Sequence, residues 1–507
     1  MPKADNITIA KNTLFLYGRT IVVLFISLYT SRLVLHALGA TELGIYNVVA
    51  GIVTLMTFLQ AAQTQATSRF ITFELGKQAG DASQGRIFSI CVTIHILLAL
   101  CIVLLTESLG LWAVHHWTSI PDARRMTADI VYQFAILALV FQTIRVPLDA
   151  VIVAHEKMSV YALLSIVEAL LFLGSALLLN RYDGDRLLLY GGLMASVAAA
   201  LFVIYSLYVR LSLRQYKFRW LWDKETSLNV LSFSGWSLLG SGADTTSQQG
   251  VALLMNNYVG LIANAALGFA QQVNNAVKRF VTSFSTAFNP QVIKLYAAGE
   301  SEAMHILVRR ASKFSFVLCY YLALPLMANM PFVLQLWLGE VPQYTASFCS
   351  LILVCSLFDS VTGVFYTAIT ATGKIKWFQI GISLSFLLDL VCAFLLLQCR
   401  IHPALVFGSR ILTRGVINMT IELCLMKRLL DFDIPTYFKE VIWPIVLTLA
   451  LTIPLVVLLS SCFSGWARLL ITTVASVLAI SGCAYLWVLN ESERKTVSKA
   501  IKDRLAR

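Results

Sequence analysis

Long apolar stretches alternate with short polar segments along almost the whole chain. A helix that crosses a bilayer needs about 20 predominantly apolar residues. Because the stretches are continuous and do not alternate between apolar and polar positions, they predict membrane-spanning helices and not a β-barrel. Fourteen stretches of sufficient length cover residues 12–37, 41–65, 86–114, 127–152, 159–180, 186–210, 228–258, 260–285, 309–337, 345–371, 376–399, 403–427, 440–461 and 467–489.

The composition leads to the same interpretation. Hydrophobic residues make up 58% of the 507 residues and charged residues only 13%, whereas soluble domains carry about 25% charged residues. A chain this apolar does not have enough polar residues to cover a water-facing surface. The composition therefore excludes a soluble enzyme, a disordered chain and a nucleic-acid-binding domain, and indicates an all-α polytopic membrane protein.

The basic residues are distributed unevenly among the predicted loops. The chain has 39 lysine and arginine residues against 27 aspartate and glutamate residues. If the N-terminus is cytoplasmic, the cytoplasmic segments hold 26 of these basic residues and the outer loops hold six. Because cytoplasmic loops are enriched in lysine and arginine, this bias predicts that both termini are cytoplasmic and that the number of helices is even.

Short sequence matches relate the two halves of the chain. Leu109 and Trp112 recur 225 positions later as Leu334 and Trp337, each pair at the end of a third helix. The matches predict two bundles of like orientation, although apolar helices also resemble one another by chance. The predicted organisation is an N-terminal six-helix bundle (1–211), a cytoplasmic interfacial linker (212–227), a C-terminal six-helix bundle (228–430), two additional transmembrane helices (431–489) and a basic cytoplasmic tail (490–507).

The predicted linker combines basic and aromatic residues. Between Arg210 and Lys224 the basic side chains alternate with Tyr216, Phe218, Trp220 and Trp222. This composition is typical of a segment that lies at anionic headgroups on the cytoplasmic side of a membrane. We expect anionic lipids to be partners of this segment, and we expect no nucleic acid.

Seven basic residues remain after those assigned to the loops, and they lie inside the predicted spans. Ionisable groups are costly there and usually face a watery cavity or a partner. Two of them, Arg410 and Arg414, are four residues apart and therefore share a helix face. The excess of bases predicts an anionic substrate, bound by Arg19, Arg32, Arg145, Lys278, Arg279, Arg410 and Arg414. The alternative is that these side chains reach the headgroups or form structural ion pairs with Asp149, Glu168, Asp244, Asp359 and Asp389.

The predicted seventh and eighth helices are unusually polar. Gln248 in the seventh helix, and Gln271 and Asn274 in the eighth, belong to runs of amide and hydroxyl residues that cannot all face lipid. Such groups exchange hydrogen bonds with water and with sugar hydroxyls. As a set they predict a hydrated lumen, with hydrogen bonding between helices as the alternative for any single residue.

No motif in the sequence indicates catalysis. The sequence lacks HExxH, a Walker loop and GxGxxG, and neither His155-Glu156 nor His115-His116 is accompanied by the further ligands of a metal site. We therefore expect a protein that is not an enzyme and that needs no cofactor or metal.

Three short motifs carry a family resemblance. They are Arg32-Leu33 followed by Leu38-Gly39-Ala40-Thr41-Glu42-Leu43-Gly44-Ile45-Tyr46, then Ala266-Leu267-Gly268, and Ala371-Thr372-Gly373-Lys374. Together with fourteen helices in a six-plus-six-plus-two arrangement, of which the second and eighth are polar, they resemble the multidrug/oligosaccharidyl-lipid/polysaccharide (MOP) exporter superfamily. Within that superfamily the chain is similar to Wzx-type polysaccharide flippases over nearly its whole length.

The resemblance implies a MATE-like flippase that moves an undecaprenyl-diphosphate-linked oligosaccharide across the bacterial inner membrane by alternating access. The basic side chains within the spans would bind the diphosphate, since arginine contacts phosphate oxygens with two parallel hydrogen bonds. A coupling ion (H⁺ or Na⁺), a polysaccharide polymerase and a chain-length regulator are further partners in this interpretation. The candidate residues for ion coupling are Asp149, Asp244, Asp359 and Asp389.

Other functions are compatible with the same pattern. A cation-coupled multidrug exporter of the MATE type would call for a cavity dominated by carboxylates, whereas the predicted spans contain more bases. A lipid II flippase would share the basic lumen. A membrane scaffold or polymerase subunit is the alternative outside transport, but a polymerase would favour a large outer loop, which the sequence lacks.

Overall fold

The computed structural model describes residues 6–54, 56–78, 80–117, 120–339, 341–489 and 494. Within these ranges the chain is helical almost throughout and contains no strand. The predicted basic tail therefore lies outside the described residues, apart from position 494. The helices of the first half are α1 (Asn6–Thr54), α2 (Thr57–Gly76), α3 (Asp81–Leu105), α4 (Leu111–Trp117), α5 (Asp122–Ala154), α6 (Met158–Asn180) and α7 (Arg186–Ser212).

The second half of the chain is also a series of helices. Four segments of the chain form π-helical turns, at Thr106–Gly110, Ile411–Ile417, Phe438–Ile442 and Ala484–Val488. The helices of the second half are α8 (Lys224–Tyr258), α9 (Leu261–Ala297), α10 (Ser301–Ala328), α11 (Met330–Leu338), α12 (Thr345–Ala371), α13 (Lys376–Gln398), α14 (Ala404–Arg410), α15 (Asn418–Leu430), α16 (Ile434–Tyr437), α17 (Trp443–Cys462) and α18 (Gly465–Cys483).

Each stretch that the sequence predicts to cross the membrane lies in helical structure. Among the described residues, ten helical segments are long and apolar enough to span a bilayer, and an eleventh consists of Ile45–Val53 and Thr57–Gly76, which meet at an angle of 47°. The other predicted stretches lie in α8, α9 and α14–α15, whose polar residues lower their mean hydropathy. The predicted all-α polytopic membrane fold is confirmed.

Helix boundaries differ from the predicted ones in a systematic way. Helix α2 continues to Gly76 instead of ending near residue 65, and α9 continues to Ala297 instead of ending near residue 285. The added residues include charged and amide side chains, such as Arg69 and Glu74 in α2 and Asn289 and Lys294 in α9. Hydropathy therefore ends these helices too early, although the helical backbone continues. The predicted turn after the first span is a kink inside α1 at Gly39, whose φ of 73° glycine adopts without steric cost.

Contacts within the chain divide it into two compact units. The first unit is Met1–Gly242 with Ile293–Gly299, and the second is Ala243–Val292 with Glu300–Arg507. In the first unit α5 packs along α7, and the core between the helices contains the fully buried rings of Tyr132 and Tyr205. Tyr132 donates a hydrogen bond from its hydroxyl to the backbone oxygen of Thr106 (2.6 Å), in the first π-helical turn.

An ion-pair network ties three helices together at one end of the first unit. Asp185 precedes α7 and accepts hydrogen bonds from the backbone amides of Leu187 and Leu188 at 3.1 and 3.2 Å, as expected of a carboxylate at a helix N-terminus. Arg124 of α5 lies 2.9 Å from Asp185 and 2.6 Å from Glu42 of α1. Burial alone would raise the pKa of Asp185, but these hydrogen bonds and the charge of Arg124 together lower it.

The last helices are attached to the second unit by buried contacts. The rings of Phe365, Phe432 and Tyr437 form a cluster with centroids 5.0–5.9 Å apart, which joins α12 to the segment that leads into α16 and α17. Lys313 of α10 is 1% exposed and donates from Nζ to the backbone oxygen of Val488 (2.9 Å), at the end of the last π-helical turn. These contacts make α16–α18 part of the second unit.

Gly76 provides a test of the packing in the first unit. A Cβ at this position would lie 2.7 Å from Cα of Lys294 and 2.8 Å from Cβ of Ala297, so the backbone would have to move. We expect Gly76→Ala to lower the free energy of unfolding by about 1–3 kcal/mol, measured as a lower Tm of the purified protein in detergent.

Gly174 of α6 is the matched control because a Cβ added there would have open space around it, with no neighbouring atom within 4 Å. Gly174→Ala is expected to leave the Tm unchanged or to raise it slightly, since alanine favours a helix over glycine by about 1 kcal/mol. Equal Tm values for the two variants would contradict the close approach of α2 to Lys294.

Candidate functional site

Two arginines of the second unit meet at one carboxylate. Arg410 is the last residue of α14, and Arg414 lies in the π-helical turn Ile411–Ile417 that follows. The Oδ2 atom of Asp389 in α13 lies 3.0 Å from Nη2 of Arg410, 3.1 Å from its Nε, and 3.1 Å from Nε of Arg414. The predicted shared face of the two arginines is thus directed at α13.

Asp389 is completely buried, and its charge is compensated by neighbouring donors. Besides the two arginines, Ser247 of α8 donates from its hydroxyl to Oδ2 at 2.9 Å, and the hydroxyl of Thr413 lies 3.4 Å from Oδ1. Because an ionised carboxylate without such partners is very unstable in an apolar interior, α8, α13 and the π-helical turn have to come together around it.

Arg414 extends this network to a second carboxylate. Its Nη1 donates to Oδ1 of Asp244 in α8 at 2.5 Å, and its guanidinium carbon lies 4.3 Å from the ring centroid of Phe386. Asp244 also accepts a hydrogen bond from Nε2 of Gln248 at 2.9 Å. We refer to Arg410, Arg414, Asp389 and Asp244 as the arginine–aspartate cluster; its formal charges cancel.

The exposed part of the cluster is acidic. The side chain of Asp244 is 36% exposed, whereas those of Arg410 and Arg414 are 7% and 13% exposed. The Nη2 group of Arg414 is itself buried and has no hydrogen-bond partner among the described residues. A ligand that approaches the cluster within this unit therefore meets the carboxylate of Asp244 before it meets a guanidinium group.

Helix α9 contributes a second ion pair to the same unit. Nζ of Lys278 lies 2.8 Å from Oδ2 of Asp359 in α12, and the two side chains are 44% and 51% exposed. One turn earlier, Asn274 is buried and accepts a hydrogen bond from the hydroxyl of Ser356. Gln271 is half-buried on the same helix, whereas Arg279 is exposed.

The remaining predicted residues lie in the first unit. Arg145 of α5 lies 3.3 Å from Asp149, one turn along the same helix, and 3.6 Å from Glu168 of α6. Arg19 of α1 lies over the ring of Tyr161 at 5.0 Å, and Arg32 is exposed on α1. The structure thus brings together Arg145 and Asp149, as the spacing of four residues predicted for an ion pair.

The geometry changes the interpretation of the basic residues. Within the predicted twelfth helix itself, the sequence offers Arg410 and Arg414 no acid closer than Glu422, which favours a role in an anion cavity. The structure supplies Asp389 and Asp244 from other helices, so the alternative of ion pairs describes both arginines, as it does Arg145 and Lys278. A role for these side chains in substrate binding stays a prediction.

Two contributors to the cluster were not predicted. Thr413 and Phe386 carry no signal in the sequence, because a threonine beside an arginine and a phenylalanine in an apolar helix are both ordinary. Ser247 belongs to the polar run of the seventh helix, so its position in a polar environment was predictable but its partner Asp389 was not.

A family model supports a relationship over part of the chain. Residues 244–395 match the model of the MatE family. This region includes Asp244, Lys278, Asp359 and Asp389, but it ends before the two arginines of the cluster. None of the curated protein sequences compared with the chain matches it.

The fold is that of MATE transporters. A multidrug resistance MATE transporter of the MOP superfamily in an outward-facing conformation is 12% identical, has a TM-score of 0.71, and the match covers 83% of this chain and 95% of that one. For the Vibrio cholerae MATE transporter VcmN in its bent form the values are 16%, 0.67, 84% and 100%. For a MOP superfamily transporter from Pyrococcus furiosus, described as having a binding pocket of reverse polarity that suggests a different function, they are 12%, 0.70, 83% and 97%.

Removing the shared carboxylate tests the cluster. We expect Asp389→Asn to lower the free energy of unfolding by about 3–5 kcal/mol, because Arg410 and Arg414 would remain buried without their common partner. The measurement is the Tm and the fraction of monodisperse protein in detergent. Asp359→Asn, which removes a half-exposed partner, is the control and is expected to cost about 0–1 kcal/mol.

A double variant separates this interaction from a general effect of the substitution. If Arg410 is destabilising once Asp389 is neutral, Arg410→Gln combined with Asp389→Asn will recover part of the lost Tm. Additive losses in the double variant, or a Tm of Asp389→Asn equal to that of the unaltered protein, would show that the cluster does not hold the helices together.

Proposed function

We propose that this chain is a cation-coupled membrane transporter that exports its substrate by alternating access. The observation that carries the proposal is the polarity of the arginine–aspartate cluster, in which the Asp244 carboxylate is accessible and the arginines are buried. The proposal assigns the alternating movement to the predicted bundles 1–211 and 228–430, joined by the linker 212–227, with the two helices of 431–489 as an addition to the second bundle.

The cluster offers a way for a cation to act on the site. Oxygen atoms of Asp244 and Asp389, together with the hydroxyls of Ser247 and Thr413, are ligands that suit Na⁺. A cation bound at Asp244 competes with Arg414 for the same oxygen, 2.5 Å from Nη1. Binding of the ion would therefore release Arg414 from α8 while leaving its contact with Asp389 in α13 intact.

For the substrate, the accessible carboxylates favour a cationic small molecule. Asp244 and Asp359 present partly exposed side chains in the second unit, beside the partly exposed Lys278 and the exposed Arg279. The excess of bases counted along the spans is therefore not an excess of accessible positive charge there. The similarity in fold to multidrug MATE transporters agrees with this assignment. At 12–16% identity the similarity concerns the fold, so it does not choose the substrate.

The second candidate is the flippase of an undecaprenyl-diphosphate-linked oligosaccharide in the bacterial inner membrane. It is supported by the sequence motifs that resemble Wzx-type flippases and by the donors that remain for an anion: Nη2 of Arg414, which has no partner among the described residues, and the half-exposed Lys278. In this case the anionic headgroup would replace Asp244 as a partner of Arg414.

A gene deletion distinguishes the two substrates. If the chain exports cationic compounds, its loss will reduce the efflux of cationic dyes and leave surface glycan unchanged. If surface glycan is lost instead and lipid-linked oligosaccharide accumulates on the cytoplasmic side, the flippase replaces the exporter as our conclusion. Complementation with Arg414→Lys, at matched expression, is expected to fail in either case, since lysine cannot contact two carboxylates with separate planar donors; Arg181→Gln is the control.

Ion coupling is testable without knowing the substrate. We expect Na⁺, at constant ionic strength, to shift the Tm of the purified protein, because a bound ion stabilises the state that binds it. Asp244→Asn is expected to abolish the shift. Asp183→Asn, in an exposed loop, is the control and should respond like the unaltered protein. A response that survives Asp244→Asn would place the ion elsewhere.

A further inference from the structure

Residues 213–223, between α7 and α8, form a non-helical segment that we call the interfacial strap. Two of its side chains point into the first unit: Leu213 is 6% exposed and Tyr216 is 4% exposed. Both belong to a buried core cluster that also contains Phe88 of α3, whose ring centroid lies 5.5 Å from that of Tyr216. The strap is therefore a fixed part of the first unit.

Helix α3 holds the backbone of the strap through small residues. The hydroxyl of Ser89 donates to the backbone oxygen of Lys217 at 3.3 Å and accepts from the backbone amide of Arg219 at 3.2 Å. The backbone oxygen of Gln215 would lie 2.7 Å from a Cβ at Gly85. Only a glycine at this position lets the strap approach the helix so closely.

A polar chain of contacts fixes Tyr216 from the other side. Its hydroxyl donates to Oε1 of Gln84 at 3.1 Å and lies 2.9 Å from Nε2 of His155. Burial, together with the charges of Lys294 and Lys157, lowers the pKa of His155 to about 4. The imidazole is therefore neutral near pH 7, and the attachment of the strap does not change with pH in that range.

The outward face of the strap is both aromatic and basic. Phe218, Trp220 and Trp222 are 47%, 62% and 49% exposed, and Arg214, Lys217 and Arg219 are exposed as well. The single acid of the strap, Asp223, is paired with Arg86 of α3 at 3.4 Å and also accepts from the amide of Thr226. The exposed charge of the strap is therefore positive.

The position of the strap determines what can cover this face. It follows directly on α7, one of the helices long and apolar enough to span a bilayer, so it begins where that helix leaves the membrane. A non-helical segment leaves most of its backbone hydrogen-bonding groups unpaired within itself and cannot enter the hydrocarbon, whereas tryptophan side chains favour the headgroup layer. Exposed tryptophans in the headgroup layer, next to three cationic side chains, match a surface of anionic lipid.

We propose that the interfacial strap binds the headgroups of anionic phospholipids, with Arg214, Lys217 and Arg219 contacting phosphate and Trp220 and Trp222 inserted between headgroups. The strap is prefolded on α3, so it loses little conformational freedom on binding. The inference does not depend on the transported substrate or on the arginine–aspartate cluster, which lies in the other unit.

Brominated lipids provide a local readout. The protein is placed in phosphatidylcholine vesicles that contain a minor share of brominated phosphatidylglycerol or brominated phosphatidylcholine. The tryptophan fluorescence of the strap is obtained as the difference between the unaltered protein and the variant that carries both Trp220→Phe and Trp222→Phe. We expect brominated phosphatidylglycerol to quench this fluorescence more strongly than brominated phosphatidylcholine does. Arg214→Gln with Arg219→Gln should reduce the preference by about fivefold for each charge removed, which corresponds to ~1 kcal/mol per basic residue.

The control variant is Arg125→Gln with Arg181→Gln, which removes two exposed arginines near the opposite end of α7 and should leave the preference unchanged. Added salt should weaken the preference in the unaltered protein, so the proposal is tested even if a strap variant does not fold. Equal quenching by the two lipids, or a preference that survives loss of both strap arginines, would overturn it. Absence of quenching by either lipid would overturn it too, and would indicate a soluble partner.

Discussion

The second unit is organised by the need to give one buried carboxylate its hydrogen-bond partners. Asp389 has no contact with water, and its charge is sustained by Arg410, Arg414 and the hydroxyls of Ser247 and Thr413. These groups come from α8, from the end of α14 and from the π-helical turn that follows it. Such turns occur often at functional sites; here the turn contributes both Arg414 and Thr413 to the network. Helices α8 and α9 have a low mean hydropathy because they contain many polar residues. Some of these polar residues are the partners of the buried charges.

The fold was predictable from the sequence because lipid imposes a strong rule. A backbone in hydrocarbon must satisfy its own hydrogen bonds, so each long apolar stretch has to be helical, and each is. The ends of α2 and α9 combine apolar residues with charged ones such as Arg69 and Lys294, which lower the hydropathy without interrupting the helix. Hydropathy therefore ends these helices near residues 65 and 285, whereas their backbones continue to Gly76 and Ala297.

The ion pairs, too, were predictable only where the two residues lie close together in the sequence. Arg145 and Asp149 are one turn apart, so their proximity follows from helical geometry alone. The partners of Arg414 lie 25 and 170 positions away, at Asp389 and Asp244, and no periodicity in the sequence relates them. Counting bases and acids along the spans therefore overestimated the positive charge that a ligand can reach, because neutralisation depends on how helices pack.

This pairing also limits how ligands can act on the site. Arg414 cannot at the same time hold Asp244 and bind a further anion with the same donor, and Asp244 cannot hold both Arg414 and a cation with the same oxygen. Under the proposed function, a cation at Asp244 and an anion that displaces Asp244 from Nη1 of Arg414 therefore favour the same state, in which the 2.5 Å contact between α8 and the π-helical turn is broken. By linkage each would strengthen the binding of the other, whereas a cationic substrate would compete with the coupling ion at Asp244. Under the proposed function, the sign of the substrate's charge therefore decides whether ion and substrate bind cooperatively or competitively.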